Sequence, residues 1–450
     1  MDDGFLAQPD IEDSDYEDVN FVHFGRLTHY SVTDLFGYYD HEFSLDIHEP
    51  TILTGANGTG KSTVLRSINW ISRGQFSPLV AIDFDVITLS FEQAMLQIHK
   101  KSNERLEFHL MRNTGKRSSW RYSLNSERRL SSMNRHLIDI RDAYGSDEWD
   151  DLTDDERHVL IQRYIGGGGG RESDRPGWVK KISQSFPALF VTDQRLAPER
   201  RRRPKKRGEG ETIGVVAAIE AAVLHINEEV QRYKSLYGTA SQTLDRNFPR
   251  RVFSAINSQR EFGGSKDVLR EFQEVQDIRS SLATTGLISS TEIEDSITDL
   301  PLNNPDSVAL IATYLSDTKE KLSTFEPLRQ RLEPFIEFLR RHYKDKEIRI
   351  DDKDGFKIAS TRTGQDISPV HLSSGEQQMF ILAHKLLFEA PPGTLVMIDE
   401  PELSLHVLWQ STFVDDLTEI SAASGTYFLL ATHSPTLIAG RTDLRRSLDR

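Results

Sequence analysis

The residues best suited to chemistry form a glycine-rich run, Gly55-Ala56-Asn57-Gly58-Thr59-Gly60-Lys61-Ser62, followed by Thr63. The spacing G-x-x-x-x-G-K-[ST] suits a loop that wraps phosphates. Its glycines let backbone N–H groups converge on an anion, and a helix opening at its end adds a favourable potential for negative charge. In such a loop Lys61 reaches the β- and γ-phosphates and the Ser62 hydroxyl ligates Mg²⁺. A nucleoside triphosphate, ATP with Mg²⁺, is the expected ligand. Gly55, Asn57, Gly58, Gly60, Lys61, Ser62 and Thr63 form its cradle.

Three further groups could complete the chemistry. The apolar run Thr394-Leu395-Val396-Met397-Ile398 suits a parallel strand buried on both faces, and it ends in Asp399-Glu400-Pro401. There Asp399 could hold the Mg²⁺ shell and Glu400 could polarise an attacking water, although an isolated Asp-Glu after a strand also suits a surface turn. Ser373-Ser374-Gly375-Glu376 runs into the helical pattern Met379, Phe380, Leu382, Leu386. Small residues at a helix start leave N–H groups free for an anion, and they equally suit a plain capped helix. His433 follows the apolar run 427–431 and is either structural or a donor to a γ-phosphate.

The elements that must hold these groups are visible in outline. Residues 22–24, 43–47 and 51–53 read as β-runs, the last feeding the glycine loop, and Ser62 to about Ile71 as an amphipathic helix. Residues 80–108 carry strand and helix patterns, including the alternating Val86-Ile87-Thr88-Leu89. Residues 113–171 are polar and end in five glycines, 166–170, which fit a flexible loop. Residues 187–191 read as a buried strand. Residues 214–343 read as helical, with Gly263-Gly264, Pro301, Pro305, Pro327 and Pro334 as breaks or bends. A hairpin is expected for 348–350 and 356–358, with an α/β segment after it. The expected organisation is an acidic tail 1–20, an N-terminal lobe 21–135, a polar segment 136–185, a strand and loop region 186–213, a helical insertion 214–343 and a C-terminal lobe 344–450.

Composition narrows the class. At 450 residues, 37% hydrophobic and 28% charged, the chain can bury a sizeable core. No apolar stretch is long enough to span a membrane, and the acidic start Met1-Asp2-Asp3-Gly4 is unlike a secretory signal. With no cysteine there is no disulfide and no thiol nucleophile. A cytoplasmic protein with no membrane partner is expected. A net charge of −14 argues against a general nucleic-acid coat, yet Arg200, Arg201, Arg202, Arg203, Lys205, Lys206 and Arg207 stand almost consecutively. The run is either a solvated loop or a contact to DNA or RNA phosphates.

The order of the motifs (glycine loop, Ser-x-Gly-Glu helix, Asp-Glu strand, His strand) resembles the ATP-binding heads of the ABC class. The branch is the one shared with SMC, RecF and OLD-type AAA-family ATPases. The resemblance covers about 21–108 and 348–442. It implies an α/β head with a mixed sheet, flanking helices and a mainly helical insertion. It also implies ATP held between two heads, with Lys61, Ser62, Asp399, Glu400 and His433 acting in one subunit and Ser373 and Gly375 reaching the γ-phosphate from the other. A Mg²⁺-sensing glutamine is also implied, Gln194 being the first choice and Gln93 the second. Where transporter heads carry Asp, Glu402-Leu403-Ser404-Leu405-His406 places His406, which resembles OLD-type and defence-associated ATPases. Two equal helices over 214–343 would reach only about 100 Å, so a compact insertion is expected rather than an SMC-type arm. The short stretch after His433 leaves no room for the nuclease domain of OLD proteins. The expectation is therefore the sensor ATPase of an anti-phage defence system, of the kind in Septu, PARIS or retron modules, controlling a separately encoded effector. A RecF/SMC-like DNA-repair ATPase and an assembly scaffold with little turnover are the alternatives.

Overall fold

A computed structural model describes residues 24–124, 175–192, 209–257, 265–289, 304–351, 355–403 and 407–449. The chain opens with a hairpin, β1 (Leu27–Leu35) and β2 (Tyr39–Ser44). It then crosses through β3 (Thr51–Thr54) and helix α1 (Lys61–Ser72) and returns as β4 (Val86–Phe91), β5 (Ala94–Ser102), β6 (Arg105–Arg112) and β7 (Arg117–Ser123). All but β3 form one antiparallel sheet, ordered β2-β1-β4-β5-β6-β7. Strand β4 alternates as expected, with Ile87, Leu89 and Phe91 inward. Two expectations change here. Phe24 lies outside any strand, because Gly25 turns the chain at φ +79° and a Cβ there would come within 2.8 Å of Glu92. Strand β7 lies inside the stretch that reads as merely polar; its Trp120 and Tyr122 pack on Phe76 and Phe108, one residue in two, while its other face stays polar.

Strand β8 (Ala188–Thr192) leads to the helices α2 (Glu209–Asn257), α3 (Ser265–Thr284), α4 (Pro305–Ser323) and α5 (Glu326–His342). The helical expectation holds, but the prolines break less than their number suggests. Pro327 sits in the first turn of α5, where a missing N–H costs nothing, and Pro334 lies within that helix. Helix α2 runs 49 residues, about 74 Å, with Pro249 inside it, so the insertion is less compact than expected. The hairpin appears as β9 (Lys346–Asp351) and β10 (Gly355–Ser360), with Ile348 opposite Ile358 and Ile350 opposite Phe356. A short β11 (Asp366–Ile367) extends it.

Helix α6 (Ser374–His384), β12 (Leu395–Asp399), helix α7 (Phe413–Ser424), β13 (Tyr427–Ala431) and β14 (Arg445–Ser447) complete the chain. The parallel sheet β14-β3-β13-β12-β8 is the centre of the molecule. Its two faces feed two cores. Leu395, Met397, Leu429 and Ala431 pack toward α1 and the antiparallel sheet, whereas Val396, Ile398, Phe428 and Leu430 pack toward the insertion and α6. Burial on both faces explains why β12 and β13 are continuous apolar runs. The architecture is α/β: a parallel and an antiparallel sheet with flanking helices and a mainly helical insertion. Among the described residues no helix is long and apolar enough to cross a membrane.

Candidate functional site

The site gathers at the C-terminal edge of the parallel sheet, where the loops after β3, β12 and β13 emerge side by side, as open α/β sheets favour. Gly58 and Gly60 turn the first loop with φ +86° and +95°, a region strained for any side chain. A Cβ on Gly60 would also lie 2.7 Å from Leu35. The loop runs directly into α1, so its amides and the helix N-terminus face the same way. Lys61 is buried, and its Nζ donates to the Gly55 and Ala56 carbonyls at 2.8 and 3.0 Å. Burial lowers its pKa, against the opposing pull of Asp449, Glu400, Asp399 and Glu402.

Ser62 Oγ donates to Asp399 Oδ1 at 2.9 Å, across 337 residues of sequence. Asp399 has its pKa raised by burial, which the Ser62 bond and the nearby Arg66 and Lys61 charges partly offset. Glu400 follows with φ +50°, while its N–H donates to Ala431 O at 2.8 Å. A non-glycine residue in this region costs on the order of 1 kcal/mol and is held there only by its surroundings. His433 is exposed just past β13, and its N–H donates to Glu402 Oε1 at 2.9 Å.

The structure thus brings Lys61, Ser62, Asp399, Glu400 and His433 together. Ser373 and Gly375 belong to a different helix end. Ser373 caps α6: its amide and hydroxyl donate to Glu376 Oε2 at 3.0 and 2.9 Å, and Glu376 is held in turn by Lys346 Nζ at 2.6 Å. The capped-helix reading is therefore right, and Ser373 and Ser374 remain exposed at that N-terminus. Gly375 lies close under the Trp409 ring: a Cβ there would sit 3.0 Å from it, so a side chain would ask the ring to give.

Gln93 falls away as a metal-sensing candidate. It sits in the β4–β5 turn bonded to Phe24, at one end of β1, while Leu35 at the other end packs on Gly60. A nine-residue strand separates the two ends by roughly 25–30 Å. Gln194, the basic run Arg200, Arg201, Arg202, Arg203, Lys205, Lys206 and Arg207, and Ser404-Leu405-His406 lie outside the described residues. Strand β8, which leads toward Gln194, ends at Thr192 opposite Asp399. Two residues escaped the sequence reading. Glu402 could have been noticed as a third carboxylate in Asp399-Glu400-Pro401-Glu402. Asp449, whose Oδ1 accepts the Ala56 N–H at 2.7 Å, carries no local signal; only the pairing of β14 with β3 brings it there.

Residues 241–439 match the family described as AAA domain, putative AbiEii toxin, Type IV TA system. That match begins after the glycine loop, which is joined to it by the pairing of β3 with β13 and by the Ser62–Asp399 bond. The Retron Vc95 probable ATPase of Vibrio cholerae serotype O1 biovar El Tor is 28% identical over 195 residues, 38% of this chain and 36% of that relative. The match therefore spans little more than a third of the curated relative's length. Among solved structures, the Smc head domain of Pyrococcus furiosus with an extended coiled coil, bound to the C-terminal domain of ScpA, is 13% identical with a TM-score of 0.35, covering 92% of this chain and 91% of that one. The SMC head domain of Thermotoga maritima is 11% identical with a TM-score of 0.32 and the same coverage.

Proposed function

We propose that this chain is an ATPase that binds ATP·Mg²⁺ at composite sites between two heads. In this reading it is the sensor subunit of an anti-phage defence system that controls a separate effector. The observation that carries the ATPase reading is the Ser62–Asp399 bond, because it places a hydroxyl and a carboxylate from the two nucleotide motifs at one point. Two protein oxygens suit a Mg²⁺ ion that takes its other ligands from phosphate and water. Ser62 and Asp399 would hold such an ion, which would supply charge compensation for the phosphates. The loop amides and Lys61 hold the phosphates, Glu400 orients the attacking water, and His433 donates to the γ-phosphate. Gln194 is the proposed third group near the metal. Ser373 and Gly375, at the exposed start of α6, face the nucleotide of a second copy. The retron relative supports the defence role.

The test is native mass by light scattering with and without ATP and Mg²⁺. Glu400→Gln, which retains nucleotide without turnover, should gain mass on adding ATP, while Lys61→Ala should not. A mass for Glu400→Gln that stays monomeric with ATP would reject sites formed between two heads, whereas one already multimeric and unchanged would mean that assembly is constitutive. The basic run supports a second element, contact with nucleic-acid phosphates. Changing Arg200, Arg201, Arg202 and Arg203 to Ser should then weaken DNA or RNA binding and flatten its salt dependence.

A further inference from the structure

Glu402 takes no part in phosphate binding as described above, yet it joins two of the groups that do. The chain leaves β12 through the strained Glu400 and folds into a short turn at Pro401–Leu403, with the Leu403 N–H on Glu400 O at 3.1 Å. That turn aims the Glu402 carboxylate across to the end of β13. Its Oε2 accepts the Thr432 hydroxyl at 2.8 Å and its Oε1 accepts the His433 N–H at 2.9 Å. A second bridge lies alongside: Gln410 accepts the Ser434 hydroxyl at 3.1 Å and donates to Glu402 O at 3.3 Å. In the other direction, the Glu400 N–H is held by Ala431 O at 2.8 Å. The Glu400 amide is thus fixed by the strand that leads to His433, and the His433 amide by the turn that follows Glu400.

The chemistry of the contact is selective. A carboxylate accepts at both oxygens, and here it meets two donors, one of them a backbone N–H just past the strand. Charge-assisted bonds of this kind are stronger than neutral ones. An amide at 402 would set its NH₂ against one of the two donors.

We infer that Glu402 is a positioning residue that latches the His433 loop to the Asp399-Glu400 turn. The group that orients water and the group that meets the γ-phosphate then move as one unit. The inference rests on the ATPase reading above. Glu402→Gln is expected to lower kcat at least about tenfold while the KM for ATP stays within about twofold, the pattern of a lost transition-state arrangement. Combined with His433→Ala it should add little further loss, because both variants break one device. Should Glu402→Ala fail to fold, Thr432→Val removes one donor with the carboxylate intact and should give part of the same kcat loss. Hydrogen exchange at the His433 amide reads the latch without turnover, and its protection should fall at least about tenfold in Glu402→Gln. A wild-type kcat in Glu402→Gln, losses that multiply with His433→Ala, or unchanged protection of that amide would each overturn the latch. A wild-type chain that binds ATP but does not hydrolyse it would instead overturn the ATPase reading, with the exchange result still deciding the latch.

Discussion

Glu376 shows how one side chain can serve structure at a functional motif. Burial alone would push its carboxyl up, but Lys346 and the Ser373 amide and hydroxyl outweigh that and hold it below its ordinary value near 4.5. A carboxylate with a depressed folded pKa stabilises fully above its unfolded value, and that contribution is lost as pH falls through the folded one. Glu376→Gln should therefore destabilise by about 1–2 kcal/mol at pH 7, from the lost cap and ion pair. The gap between wild type and variant in urea unfolding should shrink toward pH 4 and below. A gap independent of pH would mean the carboxylate charge is not what holds the start of α6.

Between elements, the contact of most consequence is the one that closes the insertion onto the C-terminal lobe. Helix α5 ends at Arg341 and His342, both of which reach Asp416 on α7: Arg341 Nη1 donates at 2.8 Å, and His342 Nε2 lies 2.8 Å from the other oxygen. The Asp416 side chain is completely buried, and His342 nearly so. His342 also meets the Trp409 ring, which in turn crowds Gly375, so the clamp borders the Ser373 helix. Asp416→Ala should cost about 3 kcal/mol, since it strands a buried imidazole and half of a guanidinium pair. Urea unfolding at pH 7 checks this, and a loss under about 0.5 kcal/mol would show that apolar packing alone closes the joint. Such joints are where legibility in the sequence ends. The loop 55–62, the strands ending at Asp399 and Ala431, and the hairpin of Ile348 with Ile358 announce themselves through local spacing and period. Asp416 with His342, Asp449 with Ala56, and Glu402 with His433 depend on which strands and helices lie side by side. Polar pairing of that kind leaves no periodic trace, and β7 was missed because only Trp120 and Tyr122 mark its inward face.

At the scale of the whole molecule, the decisive question is whether one chain holds a complete site. Within the chain, Lys61, Ser62, Asp399, Glu400 and His433 converge, while the Ser373 hydroxyl bonds to its own helix and stays exposed. If Ser373 serves a second copy, the two halves of a site can come from different mutant chains. A Lys61→Ala chain keeps its Ser373, and a Ser373→Arg chain keeps its phosphate loop; each is inactive alone. Mixed in equal amounts, about half of the dimers would be hybrids, each with one intact site of two, restoring up to about a quarter of wild-type ATP hydrolysis in a symmetric pair. Sites contained within one chain would restore none. Separate purification and single-tag capture of the hybrid make the measurement direct. Recovery must track the hybrid fraction, because only the hybrid sets an intact Lys61 against an intact Ser373.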